Sequence, residues 1–184
     1  MNIEEYLEAS SRTESIPEEV RLTESRMGTL MDLVSAMRQT ESLADQLKRN
    51  LFYGKKYAYL DQRKAPNDWL KEPLSERDTR LLHAALGMLT EVAELADTLL
   101  QTVLHKKELD VVNVMEELGD IEWYRAIPLR VLGLDEGQIR KANIYKLLAR
   151  YPEKFSSEQA LNRDLEAERA VLENGTNDTL GEDQ

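Results

Sequence analysis

Between Leu81 and Leu104 the chain runs for twenty-four residues with only three charged side chains, Glu91, Glu94 and Asp97, all of them acidic. Elsewhere the protein is richly charged, since 32% of its 184 residues are Asp, Glu, Lys or Arg. A segment apolar on nearly every side reads as a helix buried among others. Carboxylates in such a helix must be protonated, paired with a base on a neighbouring helix, or bound to a cation, because an isolated buried charge is costly.

Spacing sharpens the point. Glu91 and Glu94 stand three residues apart and share a helix face, where like charges repel. The following helical stretch repeats the device with Glu117 and Asp120, and no Lys or Arg intervenes between Val111 and Arg125. A short turn, His105 to Leu109, joins the two stretches, so they are expected to be antiparallel neighbours with their acidic pairs facing each other. Four converging carboxylates suit a hard cation, Mg²⁺ or Mn²⁺, better than zinc. Magnesium keeps several waters and commonly completes its shell with phosphate, which points to a polyphosphate ligand. Gly119, between Glu117 and Asp120, reads as a place where another backbone or a ligand comes close.

Composition excludes several classes. A net charge of −11 gives no field for drawing in a phosphate backbone, so no nucleic-acid partner is expected. The absence of cysteine removes disulfides, thiolate zinc sites and thiol nucleophiles. No apolar run reaches the ~18 residues of a membrane span, and the N-terminus does not resemble a signal peptide, so no membrane association and a cytoplasmic location are expected. No EF-hand loop is present.

Along the chain, residues 1–22 read as a polar arm with little structure of its own. Thr23 caps a long helix in which Met27, Leu30, Met31, Val34, Met37, Leu43, Leu47 and Leu51 recur at helical spacing, ending near Gly54. Residues 55–75, with Pro66 and Pro73, form a connector that has room for a short helix. Ser75 opens the helix to Leu104; Asp110 caps one to Leu132, bent or interrupted at Pro128. Asp135 starts a helix to Arg150, and a last helix covers 158–172. The polar tail 173–184 is expected to be disordered. Four or five helices with short links and no strand pattern predict an all-α antiparallel helix bundle.

A faint echo runs at an offset of 52 residues: Leu43-Ala44-Asp45 parallels Leu95-Ala96-Asp97. In that register Glu91 falls on Gln39 and Glu94 on Ser42, as in a degenerate repeat that has lost its acids. General likeness among amphipathic helices is the simpler explanation.

The motif Glu91-Val-Ala-Glu94, then 22 residues, then Glu117-Leu-Gly-Asp120, resembles the signature of the MazG-like, all-α nucleoside triphosphate pyrophosphohydrolases. The run Asn143-x-x-Lys146-x-x-x-Arg150-Tyr151-Pro152-x-Lys154-Phe155, followed by Asn162-Arg163-Asp164, is similar to the family too. The likeness covers about residues 80–172; the first third resembles longer, often phage-encoded members, whose location would be the host cytoplasm. The resemblance implies a bundle acting as a homo-oligomer (dimer or tetramer). It also implies hydrolysis of (deoxy)nucleoside triphosphates to monophosphate and pyrophosphate, with Mg²⁺ ions held by Glu91, Glu94, Glu117 and Asp120. Glu91 is the candidate for orienting or deprotonating water, and Asn143, Lys146 and Arg150, on one helix face, for binding phosphate oxygens. On this reading 1–22 is an arm, 23–75 an N-terminal helix and connector, and 76–172 the catalytic bundle.

Other side chains have plainer roles. His83, about 16 Å from Glu94 by helix rise, reads as packing or pocket lining. Asp97 and Glu116 read as helix-surface acids able to extend a metal shell, and Trp123 and Tyr124 as core residues able to stack on a base. The competing readings are an inter-helix salt-bridge network in a non-catalytic interaction module, and a sensor that binds nucleotide without turnover.

Overall fold

The computed structural model describes residues 1–17, 19–62 and 73–180, which form eight α-helices and no strand. These are α1 (Ile3–Ser11), α2 (Glu24–Tyr53), α3 (Ala58–Gln62), α4 (Glu76–His105), α5 (Val111–Leu132), α6 (Glu136–Arg150), α7 (Ser157–Leu161) and α8 (Leu165–Leu180). The all-α expectation holds, and among the described residues no helix is long and apolar enough to cross a membrane.

Local chemistry sets most boundaries. Ser75 Oγ accepts from Asp78 N at 3.1 Å, Asp110 Oδ1 from Asn113 N at 3.0 Å and Asp135 Oδ1 from Gln138 N at 2.7 Å, each satisfying an orphan amide of the first turn. Gly54 and Gly133 end α2 and α5 in the left-handed region, with φ of 71° and 64°. Lys106 closes α4 the same way at φ 51°. Both α2 and α4 span 30 residues, and their N-caps (Thr23, Ser75) and left-handed C-caps (Gly54, Lys106) are each 52 positions apart. The echo in the sequence is therefore matched in length and in both caps.

Three differences from the sequence reading have physical causes. The N-terminal arm is partly helical, because Asn2 and Glu5 form a reciprocal capping box that nucleates α1. The final helix is split at Asn162-Arg163-Asp164, where Asp164 Oδ1 accepts from Ala167 N at 2.9 Å and starts α8 afresh. From Glu173, where disorder was expected, α8 continues to Leu180; extending an existing helix avoids the cost of a nucleus. The connector is described only in part, with α3 in it, and Pro66 and residues 181–184 lie outside the described residues. Pro128 sits within α5 without ending it.

The chain divides into two units. One, Met1–Val20 with Leu134–Gln184, packs α8 and α1 on α6. There Arg150 grips Glu168 through Nε–Oε1 at 2.7 Å and Nη2–Oε2 at 2.6 Å, and Arg163 adds a bond at 2.7 Å. The two guanidinium groups hold the Glu168 carboxyl well below the usual carboxylate range.

The other unit, Arg21–Gly133, has α4 at its centre with α2 and α5 packed on it. Pairings Arg38–Asp97, Lys48–Glu91 and Phe52–His83 run α2 antiparallel to α4, and Thr98–Asn113 with Gly87–Tyr124 do the same for α5. Val34, Ala44 and Lys48 form the buried stripe of α2, while Met31, Leu43 and Leu51 from the expected stripe are exposed. The core joins Ala84, Tyr124 and Ile127, with Met88 and Val131 against them. α4 is not buried all round: Leu89, Val92, Leu99 and Val103 are exposed, because α2 and α5 cover only part of its circumference.

At Gly87 α4 and α5 are in close contact, since a Cβ there would overlap the Tyr124 ring. Gly87→Ala should therefore destabilise the folded chain by about 2 kcal/mol through overpacking. Gly119→Ala, with open space around its Cβ, should cost nothing or add slightly to stability. Chemical denaturation of both variants checks this, and equal stabilities would contradict it.

Candidate metal centre

Three of the four acids singled out by spacing come together. Carboxylate oxygens of Glu91 and Glu117, both buried, and of Asp120, which is exposed, all lie within 4.8 Å of one another. An octahedral magnesium shell with bonds of about 2.1 Å places its ligand oxygens about 3 to 4 Å apart, so small side-chain rotations would let the three share one ion. An open, water-accessible side at Asp120 suits a cation that retains waters.

Glu94 is one turn from Glu91 on the rim of an adjoining cavity of about 380 Å³. That cavity is also lined by Arg38 and Glu41 from α2, Asp97 and Thr98 from α4, and Asn113 and Glu117 from α5. The Glu94 side chain is exposed at the rim, so solvent tempers its surroundings without cancelling them. Partial desolvation, followed by repulsion from Glu117, Glu91 and Glu41, pushes its carboxyl up to about 7. Burial and the neighbouring Glu91, Glu116 and Asp120 raise Glu117 as well. Asn113 partly offsets this, donating from Nδ2 to Glu117 Oε1 at 3.1 Å and to Thr98 Oγ1 at 2.9 Å.

Among the described residues, one base lies close to the cluster. Lys48 Nζ, buried beneath the α4 face, donates to Thr90 Oγ1 at 2.9 Å and approaches Glu91 Oε1 at 3.4 Å. Thr90 Oγ1 lies 2.8 Å from the Gly87 carbonyl and 2.9 Å from Glu91 Oε1, so its one proton can serve either. The same ammonium sits 5.3 Å from the Tyr124 ring centre. Arg38 is occupied elsewhere, chelating Asp97 at 2.7 and 2.8 Å. Asp97 is thus ion-paired and does not extend the carboxylate cluster.

Sequence reasoning did not find Lys48, Thr90, Arg38, Glu41 or Asn113. The one local signal was a lysine on the helical face of Val34 and Ala44, a stripe that only the packing of α2 identifies as buried. His83 lies among aromatic rings, stacked on Phe52 at 4.3 Å and edge-on to Tyr124 at 5.6 Å, with Nε2 buried and unbonded among the described residues. Burial and Lys48 lower its pKa, so it stays neutral. Trp123, 57% exposed, and Tyr124, 8% exposed, meet at 4.8 Å, and only the latter belongs to the core.

Asn143, Lys146 and Arg150 lie on α6 in the other unit. Within that unit, Asn143 Oδ1 accepts from the Tyr6 hydroxyl at 3.2 Å and Arg150 is held by Glu168. Gly119 has nothing within 4 Å of its Cβ position, so no backbone among the described residues explains it.

Because the folded Glu94 keeps a proton that the unfolded chain releases near pH 4.3, its ionisation destabilises the fold increasingly as pH rises toward 7. Glu94→Gln, in chelator, should melt above wild type at pH 8, and the gap should shrink as pH falls toward about 4.3. A pH-independent gap, or a less stable variant at pH 8, would contradict the crowding of negative charge.

No family model, curated protein or solved structure matches the chain.

Proposed function

We propose that this protein is a metal-dependent hydrolase that cleaves nucleoside triphosphates, deoxynucleotides included, to monophosphate and pyrophosphate. The observation that carries the proposal is the convergence of Glu91, Glu117 and Asp120, with Glu94 beside them, across the α4–α5 seam, where among the described residues Lys48 of α2 is the base that reaches the acids. The resemblance of the Glu-x-x-Glu and Glu-x-x-Asp motifs to those of MazG-like pyrophosphohydrolases gives this chemistry its substrate class.

Mg²⁺, or Mn²⁺ in its place, would neutralise the polyphosphate and acidify a bound water when held there. Glu117 and Asp120 would supply ligand oxygens. Asn113 fixes the orientation of Glu117 by its hydrogen bond, and Lys48 with Thr90 fixes that of Glu91. Glu91, so held, is our candidate for orienting the attacking water. Glu94, with a carboxyl near neutrality, would take up or release a proton at working pH. A phosphate-binding role for Asn143, Lys146 and Arg150 is proposed from the family resemblance alone; Arg150 would have to exchange part of its bond to Glu168 to serve.

We further propose a homo-oligomer, a dimer or tetramer. The exposed side chains Leu89, Val92, Leu99 and Val103 of α4 and Val112, Met115 and Leu118 of α5 supply apolar surface that a second copy would cover.

The contact of Lys48 with Glu91 favours a second reading, in which the acids are a structural ion-pair network and nothing is turned over. One assay separates the two. With Mg²⁺ and each of the eight common NTPs and dNTPs in turn, the protein should release pyrophosphate and monophosphate from at least one. Glu94→Gln and Asp120→Asn should lower that rate by more than about a hundredfold, beyond what outer-shell changes cost. Folded wild-type protein that releases pyrophosphate from none of the eight would defeat the proposal.

A further inference from the structure

A cavity of about 660 Å³ in the Arg21–Gly133 unit lies between α2, α3 and the C-terminal end of α4 and is distinct from the acidic groove. Arg38 lines both, so the two cavities share a wall. Their chemistry differs. The groove is carboxylate-rich, whereas the large cavity presents the amides of Gln39, Gln46 and Gln101 and the hydroxyl of Ser42 around an apolar floor. The Tyr59 ring closes one side. Arg38, the charged side chain among the lining residues, is neutralised by its bidentate pair with Asp97.

The 52-residue echo bears on the same cavity. Gln39 and Ser42 stand where Glu91 and Glu94 stand in the matching helix, and α2 and α4 agree in length and caps. The positions that hold acids in α4 hold neutral hydrogen-bonding groups in α2, and these face the large cavity. A wall of this kind disfavours a metal or phosphate and suits a flat, uncharged heterocycle with donors and acceptors on its edge. Its volume lies within the roughly 300–1,000 Å³ of small-molecule sites.

We infer that this cavity receives the base and sugar of the nucleotide while the phosphates extend past Arg38 toward the acidic groove. Gln39, Gln46 and Gln101 would read the edge of the base; Gln46 already donates to Ser42 Oγ at 3.1 Å and Gln101 to Asp97 Oδ1 at 3.3 Å, so each of these two keeps its amide oxygen and one further N–H for a ligand. The inference rests on the reading of the acidic groove as a nucleotide-phosphate site. It goes beyond that reading by placing selectivity in α2, a helix that carries none of the four candidate acids.

The test uses non-hydrolysable nucleotides with a methylene group between the α and β phosphorus atoms, titrated by calorimetry in Mn²⁺. Ser42→Trp fills the cavity from α2, and Ser35→Trp does so two turns earlier, in case one variant fails to fold. Both should bind Mn²⁺ and melt as wild type does but bind the nucleotides at least about tenfold more weakly. In the wild-type complex formed with diamagnetic Mg²⁺ in place of Mn²⁺, base protons should show nuclear Overhauser contacts to the Val34 methyls, a readout that needs no variant. Unchanged nucleotide affinity in the Trp variants, or base contacts elsewhere, overturns the inference and leaves the hydrolase reading standing. Wild type that binds Mn²⁺ but no nucleotide overturns both. Trp variants that break up a wild-type oligomer would show the cavity to be an interface between copies and overturn the inference alone.

Discussion

Everything at the candidate site depends on how closely α5 approaches α4. The Tyr124 ring rests where a Cβ of residue 87 would be, and Ala84 and Ile127 extend that contact one turn further. With the helices drawn together there, Glu91 faces Glu117 and Asp120 across the seam. Hydrophobic burial at one end of the pair therefore enforces electrostatic repulsion at the other. Burial, and with it that repulsion, raises the carboxyls of Glu94 and Glu117, and a divalent cation bound there would stabilise the folded state.

Lys48 modulates the balance. Its ammonium lies below the cluster, tied to Thr90 and leaning on Glu91 and the Tyr124 ring. One positive charge against Glu91, Glu94, Glu117 and Asp120 leaves the group negative overall, so the lysine orients Glu91 without saturating the site. The salt-bridge reading would need a base for each acid, and among the described residues Glu117 has an amide, Asn113, in that place.

Local signals were legible in the sequence and long-range ones were not. Thr23, Ser75, Asp110, Asp135, Gly54 and Gly133 act on backbone groups within a turn, so the helix ends could be read directly. The Asn2–Glu5 capping box is equally local and marks α1. The acids stood out because no base shares their helical stretches. Lys48 and the Gly87–Tyr124 contact depend on which face of α2 turns inward and on contacts between segments far apart in the chain, and no periodicity encodes either. The buried stripe of α2 runs through Val34, Ala44 and Lys48, not through its larger leucines, and only packing decides that.

Titration with Mn²⁺, followed by the loss of its free-ion paramagnetic resonance signal, tests the central claim most directly. Folded wild-type protein should bind the ion, release it to excess Mg²⁺, and lose more than about tenfold in affinity on Glu117→Gln. If wild type and Glu117→Gln bind equally, or neither binds while both stay folded, the carboxylates crowded across the α4–α5 seam do not hold a metal.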